Sequence, residues 1–156
     1  MIAINDYRQF IAELVAAASQ KCGIGYSKIR LAVARQQLIK LLKDQEGIVI
    51  AGNIPGSDIN NNGYYWSEGE CLLMVLEKMP EDYEGTEREY IRYGELQLLM
   101  IHIIRLLIGE DLQEFCDKAE LDRSQKITVE WEFNTYGGFN GMSALFHLKD
   151  KNGTGL

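Results

Sequence analysis

Asp58-Ile59-Asn60-Asn61-Asn62-Gly63 sets side-chain oxygens at the first, third and fifth positions of a loop and a turn glycine at the sixth. That is the opening half of a calcium-binding helix-loop-helix loop, whose oxygens replace the hydration shell of a hard cation. The Tyr64 carbonyl could serve the seventh position. The twelfth needs a bidentate carboxylate and holds Gly69, with Glu68 and Glu70 on either side, and Pro55 and Gly56 forbid the helix that should lead in. Asp58, Asn60 and Asn62 are therefore weak metal candidates in an asparagine-rich turn, and no calcium affinity tighter than about millimolar is expected.

Any histidine-based proton transfer would have to use His102 or His147, the only two in the chain. His102 shares a helical stripe with Arg88, Arg92, Glu95 and Arg105, the polar edge of an apolar helix. The alternation of the last two apolar segments puts His147 beside Glu130, half of a base and its orienting carboxylate. Ser143 lies four residues earlier on the same strand face, too far along an extended chain to be its nucleophile. Cys22, Cys71 and Cys116 are odd in number and widely spaced, and read as structural thiols of a reducing compartment. There is no P-loop lysine pattern, no histidine pair at metal spacing and no Cys-x-x-Cys. Neither Cys22-Gly23-Ile24-Gly25 nor Gly137-Gly138-Phe139-Asn140-Gly141 follows a strand and opens a helix, so both read as turns. The expectation is a protein without a cofactor and without a catalytic set.

Charge is more informative. The chain of 156 residues carries a net −7, yet residues 1–43 hold seven Lys or Arg against two acids while the remainder holds nine against twenty-one. Lys21, Lys28, Arg30, Arg35, Lys40 and Lys43 occur with no acid among them. Lys28, Arg30, Arg35, Lys40 and Lys43 are the candidate interaction residues, suited to the acidic surface of another subunit or to phosphates. Only Tyr26 is at hand to stack on a base, which favours the protein partner.

The elements that must position these residues follow from periodicity. Asn5 to Lys21 repeats apolar residues at Tyr7, Phe10, Ile11, Leu14, Val15 and Ala18, an amphipathic helix with Asp6 and Gln9 as a capping box. Ser27 is expected to cap a second helix to about Lys43, with Leu31, Ala34, Leu38 and Leu42 on one side. Ile48 to Ala51 is a short buried strand, and Asn53 to Gly63 a loop. Glu70 to Met79 reads as a strand, bounded by Gly69 and Pro80. An acidic loop over Glu81 to Glu89 leads into a helix opened by the Thr86/Glu89 capping box and stopped by Gly109. Ile127 to Lys149 forms a β-hairpin; pairing Tyr136 with Gly141 sets Trp131 against Phe146 and Val129 against Leu148, with Trp131 and Phe133 in the core.

These elements predict one α+β domain over residues 1–150, with helices packed on a largely antiparallel sheet that ends in the hairpin, and a frayed tail over 151–156. Leu96 to Ile108 is too short and too interrupted to span a bilayer. With no signal peptide at Met1 to Asp6, the expected location is the cytoplasm.

Cys71-Leu-Leu-Met-Val-Leu-Glu-Lys-Met-Pro80, the acidic loop and helix after it, Ile127-Thr-Val-Glu130 and Tyr136-Gly-Gly-Phe-Asn-Gly-Met-Ser143 resemble, in order and texture over most of the chain, the tail-completion proteins of tailed phages and prophages. These are the small subunits that terminate the tail tube or join tail to head. The resemblance implies a non-enzymatic assembly subunit, a homo-oligomer or a partner of other tail components, and a place in the virion. The alternatives are a nucleic-acid-binding accessory protein using residues 21–43, and a small ligand-binding domain or enzyme.

Overall fold

Tyr7, Phe10, Ile11, Leu14, Val15 and Ala18 are all buried along one side of the first helix, α1 (Ile4–Cys22), as their spacing requires. The computed structural model describes residues 2–56, 58–60, 66–109 and 119–150. Helix α1 begins one residue earlier than expected, with Ala3 as its N-cap, and the Gln9 amide donates to Glu13 at 2.9 Å. The Asp6/Gln9 capping box is thus not formed; Asp6 sits in the first turn, where its charge meets the positive end of the helix. Gly23, in the left-handed region at φ 74°, closes the helix by donating its N–H to the Ser19 carbonyl.

The expected second helix is two elements. Ile29–Ala32 form a strand, β1, and only Gln36–Leu42 are helical, as α2. Ser27 caps nothing: its N–H and its hydroxyl both donate to the Ile48 carbonyl. The apolar positions Leu31, Leu38 and Leu42 suit a long helix and a strand followed by a short helix equally well. The pairing partner at residues 50–53 decides between them.

Strand β2 (Ile48–Asn53) pairs parallel with β1 and antiparallel with β4 (Trp66–Lys78). The strand expected from Glu70 to Met79 is present and starts earlier. Asn53 belongs to β2 rather than to a loop, and its side-chain amide bonds the Glu70 carbonyl and the Leu72 N–H as a further rung between the strands. Asp58–Asn60 form a short strand, β3, antiparallel to Trp66–Glu68.

After a 3-10 turn at Glu81–Tyr83 comes α3 (Glu87–Ile108), ending where Gly109 donates to the Arg105 carbonyl. Thr86 is its N-cap, but the Thr86 hydroxyl donates to Tyr83 and the Glu89 carboxylate accepts from the Gly85 N–H, so the expected box is displaced by one residue. Strands β5 (Ala119–Leu121), β6 (Thr128–Thr135) and β7 (Phe139–Asp150) complete the sheet.

The strand order is β1-β2-β4-β7-β5, with β3 beside the start of β4 and β6 beside the first part of β7. Every pairing except β1 with β2 is antiparallel. Helices α1 and α3 lie together over one face, burying Phe10, Leu14, Leu99, Ile103 and Phe146 among others. Each such side chain contributes about 1.5–3 kcal/mol on leaving water. A smaller cluster of Leu38, Leu42, Met74, Leu76 and Phe139 occupies part of the opposite face under α2. The chain is an α+β protein. No helix among the described residues is long and apolar enough to cross a membrane. Residues 151–156, expected to fray, lie outside the described residues.

The hairpin is where expected, but its register differs by four residues. Trp131 pairs with Met142 and Val129 with Ala144, not with Phe146 and Leu148. The turn is Tyr136-Gly137-Gly138, with all three residues at positive φ, so Asn140 and Gly141 belong to β7 instead of the loop. A bulge between Glu132 and Thr135 absorbs the remaining slip, and the Asn140 side chain accepts the Asn134 N–H at 2.7 Å. An even slip keeps every residue on its face. Trp131 and Phe133 nevertheless are not core: they are 52% and 66% exposed, because α1 and α3 cover the middle of the sheet and β6 lies beyond them.

Candidate functional site

His147 projects from the sheet face opposite α1 and α3, and its cross-strand neighbour there is Glu70, not Glu130. The His147 Nε2 stands 3.6 Å from a Glu70 carboxylate oxygen, while Nδ1 is buried and makes no hydrogen bond. Glu130 faces Ser143 instead, as the four-residue slip of the hairpin dictates. Ser143 is buried on that same face and no hydrogen bond joins it to His147, so the strands hold a carboxylate-imidazole pair without a nucleophile. His102 is half-buried on α3, the helix that packs on the opposite face of the sheet.

A cleft of about 340 Å³ on that face gathers Arg35, Asn53, Glu70, Glu130, Glu132 and Ser143. Arg35 thereby shares a surface with three carboxylates that the linear sequence separates by 35 residues or more.

The calcium reading fares differently. Asp58 to Asn60 run extended in β3, hydrogen-bonded to β4, where a calcium-binding loop would curl around its ion. Asn62 lies outside the described residues. Among the described residues no group of three or more His, Cys, Asp or Glu is placed to hold a metal ion. Cys71 is buried under α1 with its thiol donating to the Gly69 carbonyl, and burial, the largest influence, pushes that thiol up to about 12, which leaves it protonated and unreactive at neutral pH. Cys22 is half-buried with its thiol toward the Ser19 carbonyl, and Cys116 lies outside the described residues.

Of the candidate interaction residues, Lys28, Arg35, Lys40 and Lys43 are exposed and Arg30 is half-buried. None of the five has an ion-pair partner among the described residues. The fold splits them into two places: Lys28 and Arg30 along β1, an outer strand of the sheet, and Arg35, Lys40 and Lys43 on or at the ends of α2.

The site the sequence reading missed is apolar. Val129, Trp131 and Phe133 stand exposed in a row on β6, which among the described residues pairs only with β7 and leaves its other edge open. Their alternation was visible in the sequence; what was not visible is that β6 ends the sheet, since strand order depends on partners far along the chain. A second set, Ile91, Leu98, Ile101 and Ile108, is exposed on α3. No family model matches the chain, and no curated protein matches it.

Proposed function

We propose that this chain is a non-enzymatic assembly subunit, of the kind that completes the tail of a phage or prophage, and that it acts through protein–protein contacts. The observation that carries this reading is the open edge of β6 with Val129, Trp131 and Phe133 exposed on it. Proteins that work as monomers blunt such edges with charge, proline or a covering loop, because unpaired N–H and C=O groups beside apolar side chains recruit another chain. Here the acids Glu130 and Glu132 lie on one face of β6 only, so the other face stays apolar.

Light scattering on the purified protein, alone and with tail components expressed beside it, tests the reading. Assembly is expected, and Trp131→Glu with Phe133→Glu should abolish it while the far-ultraviolet circular dichroism stays native. A protein that remains a monomer at high concentration and joins no such component would overturn the proposal.

Lys28, Arg35, Lys40 and Lys43, exposed and without an ion-pair partner among the described residues, favour a second reading, a nucleic-acid-binding accessory protein. It requires an affinity for duplex or single-stranded DNA that falls steeply as salt rises.

A further inference from the structure

The sheet has two long-range features that fit each other. At one side is β6 with its open edge; at the other is β1, which among the described residues pairs only with β2. Along that second edge runs an open groove of about 690 Å³, lined among others by Ile4, Arg8, Ile29, Leu31, Leu41 and Ile54.

The direction of the strands matters first. β1 and β2 run parallel, and each step from β2 through β4 and β7 to β6 reverses direction, so β6 runs opposite to β1. A second copy set beside the first in the same orientation therefore presents its β1 antiparallel to β6, the better hydrogen-bonded of the two arrangements. The faces also agree. On the side of α1 and α3, β1 carries Ile29 and Leu31 while β6 carries Val129, Trp131 and Phe133. On the side of α2, Arg30 of β1 and Lys28 just before it meet Glu130 and Glu132 of β6. Side chains alternate with period two, so every antiparallel register that keeps the helices of both copies on the same side sets apolar against apolar and cation against carboxylate.

Resting on the assembly reading and naming its partner, we infer that a second copy of this chain occupies the β6 edge, its β1 strand extending the sheet across the two subunits. The contact is head to tail, so each copy offers β6 to one neighbour and β1 to another. It sets apolar against apolar on one face and cation against carboxylate on the other, whereas β6 against β6 would set Glu130 and Glu132 against their own copies.

The test is cross-linking between differently labelled copies. Leu31→Cys protein is mixed with Val129→Cys, Trp131→Cys or Phe133→Cys protein under mild oxidation, both in a Cys22→Ser, Cys116→Ser background; a disulfide needs Cα atoms within about 7 Å. Mixed pairs should join and each variant alone should not. A second measurement does not depend on cysteine. Arg30→Glu or Glu130→Arg alone should weaken self-association at least about tenfold, and the two together in one chain should restore it, because like charges across an interface repel. Assembly that persists with no mixed cross-link, or with Trp131→Cys joining itself, would overturn the inference and leave the assembly reading standing. Assembly only with a different tail component would do the same. A protein that neither assembles nor cross-links at any concentration would overturn both.

Discussion

Tyr93 on α3 and Trp131 on β6 meet edge to face, their ring centroids 5.3 Å apart and their planes at 66°. Tyr93 covers part of Trp131, which is otherwise flanked by Met142 across the strands and stays about half exposed. An aromatic pair of this geometry adds about 0.5–1.5 kcal/mol beyond its buried area.

Trp131→Ala should therefore cost the fold little, about 1–2 kcal/mol. Phe146→Ala, which empties a fully buried position under α1 and α3, should cost about 3–5 kcal/mol. Urea denaturation of dilute protein, where self-association does not contribute, separates the two. Equal losses would mean that Trp131 is covered by something beyond Tyr93.

Two glycines should respond in opposite directions. A Cβ built on Gly141, whose φ is 158°, would stand 2.0 Å from the Val75 carbonyl oxygen and 3.0 Å from the Leu76 Cα, and backbone cannot yield as a side-chain end would. Gly141→Ala should lower stability by about 3 kcal/mol or more. Gly94 is exposed within α3 and a Cβ there meets nothing within 4 Å. Gly94→Ala should raise stability by about 0.5–1 kcal/mol through helix propensity. Thermal melts of both variants check the signs.

Residues that form α1, β4 and α3 were legible because each carries a long run with one period: Tyr7 to Ala18 at three and four, Cys71 to Leu76 unbroken, Leu96 to Leu107 helical. Position in the sheet was not legible. Ile29 to Ala32 became a strand because β2 offered a partner, and Trp131 lost its place in the core because no helix extends over β6. The catalytic pairing of His147 with Glu130 failed for a local reason. Tyr136 takes a left-handed conformation, closes the turn early and shifts the register by four. The basic residues from Lys28 to Lys43 were legible as a group, while their division between the β1 edge and α2 was not.

Arg92 fastens α3 to the end of β4. Its Nε and Nη2 donate to the two oxygens of Glu77 at 2.7 Å each, and Nη1 pairs with Glu95 one turn along the helix. A bidentate fork of this kind has a geometry that a single ammonium cannot reproduce. Arg92→Lys should lose about 1 kcal/mol and Arg92→Ala about 1.5–3 kcal/mol, measured by chemical denaturation. Glu77→Gln should lose a similar amount to Arg92→Lys. Full stability in Arg92→Lys would show that charge alone suffices.

Alkaline pH should find the contact between Tyr7 and Cys71. Burial is the largest cause of the rise in both groups, and the charge of a Cys71 thiolate would further oppose ionisation of the Tyr7 phenol: Cys71 is pushed up to about 12 and Tyr7 well above its ordinary value. In the unfolded chain both ionise in their usual ranges, near 9 and 10. The folded state therefore keeps protons that the unfolded state releases. Stability from this source is fully present below about pH 9 and falls as pH rises from there toward about 12. The urea midpoint should drop across that window, and Tyr7→Phe should flatten the drop by removing the phenol while filling nearly the same volume. Cys71→Ala should flatten it further, at the cost of a small cavity. The same burial should keep Cys71 unreactive toward an aromatic disulfide reagent in the native protein at pH 8, with reaction following the fraction unfolded as urea is added. A midpoint constant from pH 8 to 11 in the wild-type chain would mean that water already reaches the pair.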